Sequence, residues 1–219
     1  MGVRDQRRAE TTAAILEVAR QHVASDGAAQ LSLRAVARDL DLAVSALYRY
    51  YPSRDDLLTA LITEAYDDCA DYVQEAMTGP RVRGPRAAWT AAARAYRTWA
   101  QENPSRFMLI LGTPVPGYVA PEDPTVTAGT RIPRLLTALL VDADIPRRRM
   151  PRTTRSQLAR LVEILQVDVS PDALAAGMTA WDAVHGHVMF ELSGQFGPLT
   201  GDDGLFDEVV RSQADRLGL

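Results

Sequence analysis

The stretch SLRAVARDLDLAVSALYRYY, residues 32–51, restricts the fold more than any other part of the chain. It reads as two short helices joined by a tight turn. Leu33, Val36, Ala37 and Leu40 mark the buried side of the first helix. Leu47 and Tyr51 point inward from the second, which begins near Ala43 or Val44. Ser32 stands where a hydroxyl caps a helix start. Asp41 falls in the turn, where Asp accepts a left-handed backbone or hydrogen-bonds it locally. Helices of this size bury little alone, so a third, predicted over residues 11–25, must pack across them. The outer side of the last helix is small and polar and bears Tyr and Arg, a form suited to the major groove of DNA.

The run AVARDLDLAVSALYRYYPSRDDLL resembles the DNA-binding signature of the tetracycline-repressor-type regulators. Helix, turn, recognition helix, paired Tyr residues and a following Arg-x-x-Leu-Leu fall in order, and the likeness is strongest over residues 11–60. Asp41 stands where that family commonly has Gly, and Ala43 where a small hydroxyl residue is often the cap. Asp tolerates the turn geometry, and Ser45 still offers a hydroxyl near the helix start. By this resemblance Val44, Ser45 and Tyr48 meet base edges, and Arg34 reaches a guanine from the start of its helix. Ser32, Tyr50 and Arg54 are the implied phosphate contacts.

Composition neither demands nor forbids that reading. At 219 residues, 47% hydrophobic and 24% charged, the chain suits one sizeable core or two modest domains. Its longest apolar runs, near 107–111 and 138–141, are too short to cross a bilayer. The start MGVRDQRRAE has no hydrophobic signal region, so the cytoplasm is the expected location. Cys69 is the only cysteine, which excludes an intrachain disulfide and a cysteine metal cluster. Net charge is −4, yet residues 1–51 carry seven Arg against six acids, about +1, leaving about −5 for the rest. Placement counts for more than the sum. Arg4, Arg7 and Arg8 form a basic arm, and Arg34, Arg49 and Arg54 lie near the expected docking surface.

Residues 1–10 read as a loose arm. Asp26 and Gly27 close the first helix. Pro52 stops the recognition helix, and Ser53 with Asp55 and Asp56 begins a long fourth helix that runs to about Thr78. Further helices are expected near 86–102, 105–111, 125–142, 153–167, 171–193 and 205–217, with Pro133 kinking or delaying the third of these. Gly/Pro-rich loops are expected at 112–124 and 194–204, and a wet basic connector at 144–152. No period-2 pattern suggests a strand. The fold class is all-α.

The segment AWDAVHGHVMFEL, residues 180–192, resembles a Trp-His-Gly box in the C-terminal domains of one branch of the same family; GTPVPGYVAP resembles a stretch of that branch too. The resemblance implies a body that binds a small effector and pairs its last two long helices with those of a second copy. Gly177 and Gly186 suit close helix approach, either across that interface or within the chain. An effector site in such a body is an apolar cavity with few polar groups. Tyr96, Phe107, Tyr118 and Trp181 are the candidate ligand contacts, for their polar tips or their nearness to a Gly/Pro loop. His185 and His187, two apart on a helix, do not share a face, so no metal site is read there. Asp182 with His185 or Glu191 is the nearest approach to a catalytic pair, and polar residues at such spacing are ordinary.

The sequence is thus read as a three-helix DNA-binding head, residues 1–51, and a helical effector-binding and dimerisation body, residues 52–219. The expected activity is that of a ligand-responsive repressor rather than an enzyme. Expected partners are double-stranded DNA, a small apolar or amphipathic effector and a second copy of the chain, with no cofactor, metal or membrane. The rival readings are a small-molecule helical enzyme and a protein-interaction module that has lost DNA binding.

Overall fold

The computed structural model describes residues 2–112, 114–199, 201 and 203–219, with the backbone alone at Glu122, Asp123 and Leu199. Met1 of the expected arm, Thr113 of the first expected loop, and Thr200 and Asp202 of the second lie outside the described residues. Every regular element among the described residues is helical: α1 (Val3–Asp26), a 3-10 turn (Ala28–Gln30), α2 (Leu33–Asp39), α3 (Val44–Leu47), α4 (Arg54–Met77), α5 (Gly84–Glu102), α6 (Pro104–Leu111), α7 (Glu122–Gly129), α8 (Arg131–Ala138), α9 (Arg152–Leu165), α10 (Pro171–Leu192), a second 3-10 turn (Gly197–Leu199) and α11 (Asp203–Arg216). The all-α class is as the patterning implied. The chain gathers into two compact units, Met1–Asp67 with Asn103–Ala128, and Asp68–Glu102 with Gly129–Leu219, so one division falls inside α4.

In the first unit Ile15, Ala19 and Val23 of α1 are buried with Leu33, Val36 and Ala37 of α2 and Leu47 of α3. Leu57, Leu58 and Leu61 of α4 complete that core. Ser53 and Asp56 start α4 as a reciprocal cap: the Asp56 N–H donates to Ser53 Oγ at 3.1 Å, and that hydroxyl donates to Asp56 Oδ2 at 2.7 Å. Arg20 of α1 donates twice to Glu64 of α4, at 2.6 and 2.8 Å, and to Glu17 of its own helix. The expected loose arm is instead the first turns of α1. The Asp5 carboxylate accepts from the Gly2 N–H at 3.1 Å, and Gln6 reaches Glu10 one turn on. Arg, Gln, Glu and Ala are good helix formers, so nothing in the segment opposes continuation.

The second unit is built around rings. Trp89, Tyr96 and Trp99 of α5 are almost wholly buried, and each polar tip has a partner. Trp89 Nε1 donates to the Val210 carbonyl at 3.0 Å, Trp99 Nε1 to Asp68 Oδ2 at 2.8 Å, and the Tyr96 hydroxyl bonds His185 Nδ1 at 2.7 Å. One ion pair is buried with them. Arg97 of α5 grips Glu191 of α10 through Nε and Nη2, at 2.8 and 2.7 Å, and reaches Asp203 of α11 at 2.6 Å. The guanidinium lies over the Phe206 ring, 4.8 Å from its centroid. Bidentate geometry of this kind offsets the cost of taking two charges out of water.

Other local expectations meet a mixed outcome. Ser170 caps α10 by accepting from the Ala173 N–H at 3.1 Å, whereas Ser32 occupies the start of α2 and its side chain makes no capping bond. The helix expected over 125–142 is two helices, broken at Thr130, and Pro133 lies in the first turn of α8, where its missing N–H costs nothing. The basic connector does expose Arg147, Arg148 and Arg149. Its backbone is nonetheless held: the Arg148 N–H donates to Asp172 Oδ1 at 2.9 Å, and Arg155 to Asp172 Oδ2 at 2.6 Å. These bonds, the Arg155 one foremost, hold the Asp172 carboxyl below its ordinary range.

Glu191→Gln should destabilise the protein by about 1.5–3 kcal/mol in urea titrations, because Arg97 loses its bidentate buried carboxylate and keeps only the exposed Asp203 as a charged partner. Arg97, the main cause, lowers the Glu191 pKa from its ordinary 4.5. Its stabilising contribution is therefore complete above that value and disappears as pH falls through the lowered folded value. Denaturation midpoints measured against pH should show a shallower acid limb for Glu191→Gln than for the natural chain.

Candidate nucleic-acid interface and effector cavity

The turn between α2 and α3 is closed by two bonds. The Leu42 N–H reaches back to the Ala37 carbonyl at 2.9 Å and the Asp41 N–H to the Arg38 carbonyl at 3.1 Å. Asp41 sits between them with φ at 52°, a left-handed helix stop in the place where Gly usually serves. α2 is tied to α1 at the same end, where His22 Nε2 lies 2.7 Å from Asp39 Oδ2. His22, then Arg38, hold the Asp39 carboxyl below its usual range.

That turn sets the direction of α3. Leu47 is fully buried, while Val44 and Tyr48 remain 37% and 44% exposed on the outer side, with Ser45 exposed between them. α3 is regular only over Val44–Leu47; the chain continues through Tyr48, Arg49 and Tyr50 in tight turns, the Tyr48 N–H bonding the Val44 carbonyl at 3.1 Å and the Tyr51 N–H the Leu47 carbonyl at 3.0 Å. Ser32, Arg34, Tyr48, Ser53 and Arg54 line one shallow surface depression beside it. Four of the seven residues expected at DNA thus share a single concavity.

Two of the seven are engaged within the head. Tyr50 is half-buried, with the Arg8 guanidinium 5.3 Å from its ring centroid, so part of the basic arm packs on the recognition end. Arg54 donates to the carbonyls of Leu31, Ala28 and Ala29 at 3.1, 2.9 and 3.2 Å, and to Asp55 at 3.2 Å. Those carbonyls belong to the 3-10 turn and the residue after it, so this arginine fastens α4 to the approach of α2. Nothing in the sequence distinguishes such an arginine from one held out to solvent.

The four expected effector contacts divide between the units. Phe107 and Tyr118 lie in the first: Phe107 is fully buried, and the Tyr118 hydroxyl shares a 2.9 Å hydrogen bond with Thr59. Tyr96 and Trp181 lie in the second, their ring centroids 4.5 Å apart. Trp181 lines a cavity of about 320 Å³, walled by leucines of α8, α9 and α10 together with Trp89 and Met178. Tyr96 backs that wall through its contact with Trp181 and spends its hydroxyl on His185, whose pKa burial lowers. Gly177 also lines the cavity; a Cβ there would meet Leu140 Cδ1, the far end of a flexible side chain, at 2.8 Å, so its neighbour lies within the chain. Gly186 has nothing within 4 Å of the same position. The leucine wall reads in sequence as ordinary core, since a cavity lining and a packed face share one periodicity. Among the described residues no group of three His, Cys, Asp or Glu is placed to hold a metal ion.

A long helix crossed by two short ones, the last turned outward, has the form of a helix-turn-helix DNA reader. Residues 15–61 match the bacterial regulatory proteins of the tetR family, and residues 89–213 match the tetracyclin repressor-like C-terminal domain. The chain is 35% identical to the HTH-type transcriptional regulator Rv1816 of Mycobacterium tuberculosis, over 96% of its own length and 94% of that protein's. The same values hold for the HTH-type transcriptional regulator Mb1846 of Mycobacterium bovis. A solved regulatory protein, SCO4313, shares 30% identity with a TM-score of 0.79, covering 98% of this chain and 100% of that one. The TetR family transcriptional regulator PfmR from Thermus thermophilus, at 19% identity and a TM-score of 0.56 over 93% and 96% of the two chains, shares the fold. The chain belongs to the TetR family of transcriptional regulators. That family consists of DNA-binding regulators and not of enzymes.

Asp41→Gly should stabilise the head by up to about 1 kcal/mol, since Gly enters the left-handed region without a Cβ penalty. Asp41→Val should destabilise it by about 1–2 kcal/mol on the same ground. Thermal melts of the two variants, run beside the natural chain, check both signs.

Proposed function

We propose that the protein is a ligand-responsive repressor that binds a roughly palindromic operator as a homodimer. The observation that carries this reading is the outward face of α3: Val44, Ser45 and Tyr48 exposed over a buried Leu47, beside a depression that includes Arg34 and Ser32. Val44 and the Tyr48 ring offer apolar contact to thymine methyls, Ser45 a hydroxyl, and Arg34 a fork for guanine O6 and N7. Ser32, Tyr50 and Arg54 are assigned to phosphates. The uncommitted capping position of Ser32 supports its part, and Arg54 reaches the backbone only with what its four carbonyl and carboxylate bonds leave over. A two-fold dimer then reads half-sites near one helical turn apart, about 34–36 Å, or a multiple of it.

The dimer face is assigned to α10 and α11. Phe190 is 55% exposed there, and Gly186, His187, Phe196 and Val209 border the same groove, while Gly186 leaves open space for a neighbouring helix. On this reading the likeness over residues 180–192 puts the chain in the branch with the Trp-His-Gly box, with a DNA-binding domain over 1–51 and a body over 52–219. The effector occupies the cavity lined by Trp181 and controls DNA affinity by its differential binding to two dimer states. α4, which leaves the head and enters the body, carries the change.

A duplex selected by the protein from a random-sequence pool tests the reading head. Arg34→Ala and Tyr48→Ala should weaken binding to that duplex at least tenfold, about 1.4 kcal/mol, with far less effect on scrambled DNA; equal loss on both removes base reading. The natural chain's affinity should fall steeply between about 50 and 200 mM salt, roughly 10³-fold or more for six phosphate contacts. Trp181→Ala should change the effector titration and leave operator affinity within about twofold; an unchanged titration takes Trp181 out of the site.

A further inference from the structure

The cavity lined by Trp181 has a chemical bias that the reading of it as an effector site leaves open. Its volume, about 320 Å³, lies at the low end for small-molecule pockets, roughly 300–1,000 Å³. Its walls are mainly aliphatic and aromatic, with Thr130 and Thr137 as neutral polar residues, and among its described lining residues Asp182 is the one charged side chain. No Lys, Arg or His stands among those residues. The Thr137 hydroxyl donates to the Pro133 carbonyl at 2.6 Å, and the Trp89 indole N–H donates to Val210, so neither is held ready for a ligand anion. Asp182 is exposed in the single chain and stands between the cavity and the α10–α11 groove.

These features sort ligands by charge. A carboxylate or phosphate entering the cavity gives up water, meets no cation and approaches a like charge; each of these opposes binding. A neutral molecule gains the apolar walls alone. An ammonium gains the same walls and an ion pair with Asp182, in a lining that includes two tryptophans, indole being the strongest of the aromatic cation acceptors.

We infer that the cavity selects a compact hydrophobic monocation, an aryl- or alkylamine whose ammonium rests on Asp182 while its apolar part fills the space between Trp181 and the leucines. The inference rests on the cavity being the effector site and names the class of effector. It excludes acyl carboxylates, phosphate esters and larger thioesters as direct ligands.

Isothermal titration of the full-length protein with three probes of one skeleton tests it: 4-phenylbutylamine, 4-phenylbutanol and 4-phenylbutyrate. The amine should bind at least tenfold more tightly than the alcohol, and the carboxylate should give no measurable binding. Asp182→Asn should bring the amine to within about threefold of the alcohol and leave the alcohol's own affinity unchanged. Equal affinities for amine and alcohol, tighter binding of the carboxylate, or no binding of any probe overturns the inference. A second titration, following the protein on its selected duplex by fluorescence anisotropy, separates the two claims. Amine binding that obeys the charge order yet leaves DNA affinity untouched supports charge selection and overturns the effector reading.

Discussion

A four-residue helix has no stability of its own, and the face that α3 turns to solvent exists only because Leu47 is buried behind it. Nucleating a helical turn is unfavourable in water, and propagation over so short a length cannot recover that cost. The head solves this by packing. Leu47 is fully buried where α3 packs on α2, and the left-handed stop at Asp41 turns the chain at the residue where the next helix must change direction. His22 with Asp39 then fastens α2 to α1, the Arg54 fan fastens the 3-10 turn to α4, and Arg20 with Glu64 joins the two long helices α1 and α4. Polar residues that look available for DNA are in part the means by which the head holds its form.

The second unit meets a different problem, which is how to bury large rings that carry polar atoms. Each indole or phenol tip on α5 is satisfied by a carbonyl, a carboxylate or a histidine, and the Arg97–Glu191 pair joins α5 to α10 by charge as well as by packing. An unmatched polar group in such a place costs more than the bond it would have made. The arrangement leaves a leucine-walled space on one side and a half-exposed helical face on the other, with Asp182 at the border of both.

Much of this could be read from residues alone where the controlling interaction is local. Asp41 in the turn, Ser53 with Asp56 at the start of α4, Ser170 with Pro171 at the start of α10 and the apolar spacing of each helix depend on residues within one or two turns of one another. The same reasoning misjudged the first ten residues, because a polar run with good helix propensity reads as a tail until something is found for Arg8 to rest on. It assigned Ser32 a capping bond that the chain does not make. Tyr96, Phe107, Tyr118 and Trp181 are grouped by their chemistry alone, and the fold adds only the unit to which each belongs.

By itself the sequence determined the all-helical class, the head with its turn and outward face, and the family to which the chain belongs. Each of these rests on spacing along the chain, which periodicity and a short motif record directly. Only the tertiary structure decided that Arg54 binds carbonyls, that His22 meets Asp39, that Gly177 has Leu140 beside it while Gly186 faces open space, and that the cavity wall carries a single carboxylate among its described residues. Those outcomes depend on which distant residue arrives opposite, and helical periodicity names the face of a helix without naming what will cover it.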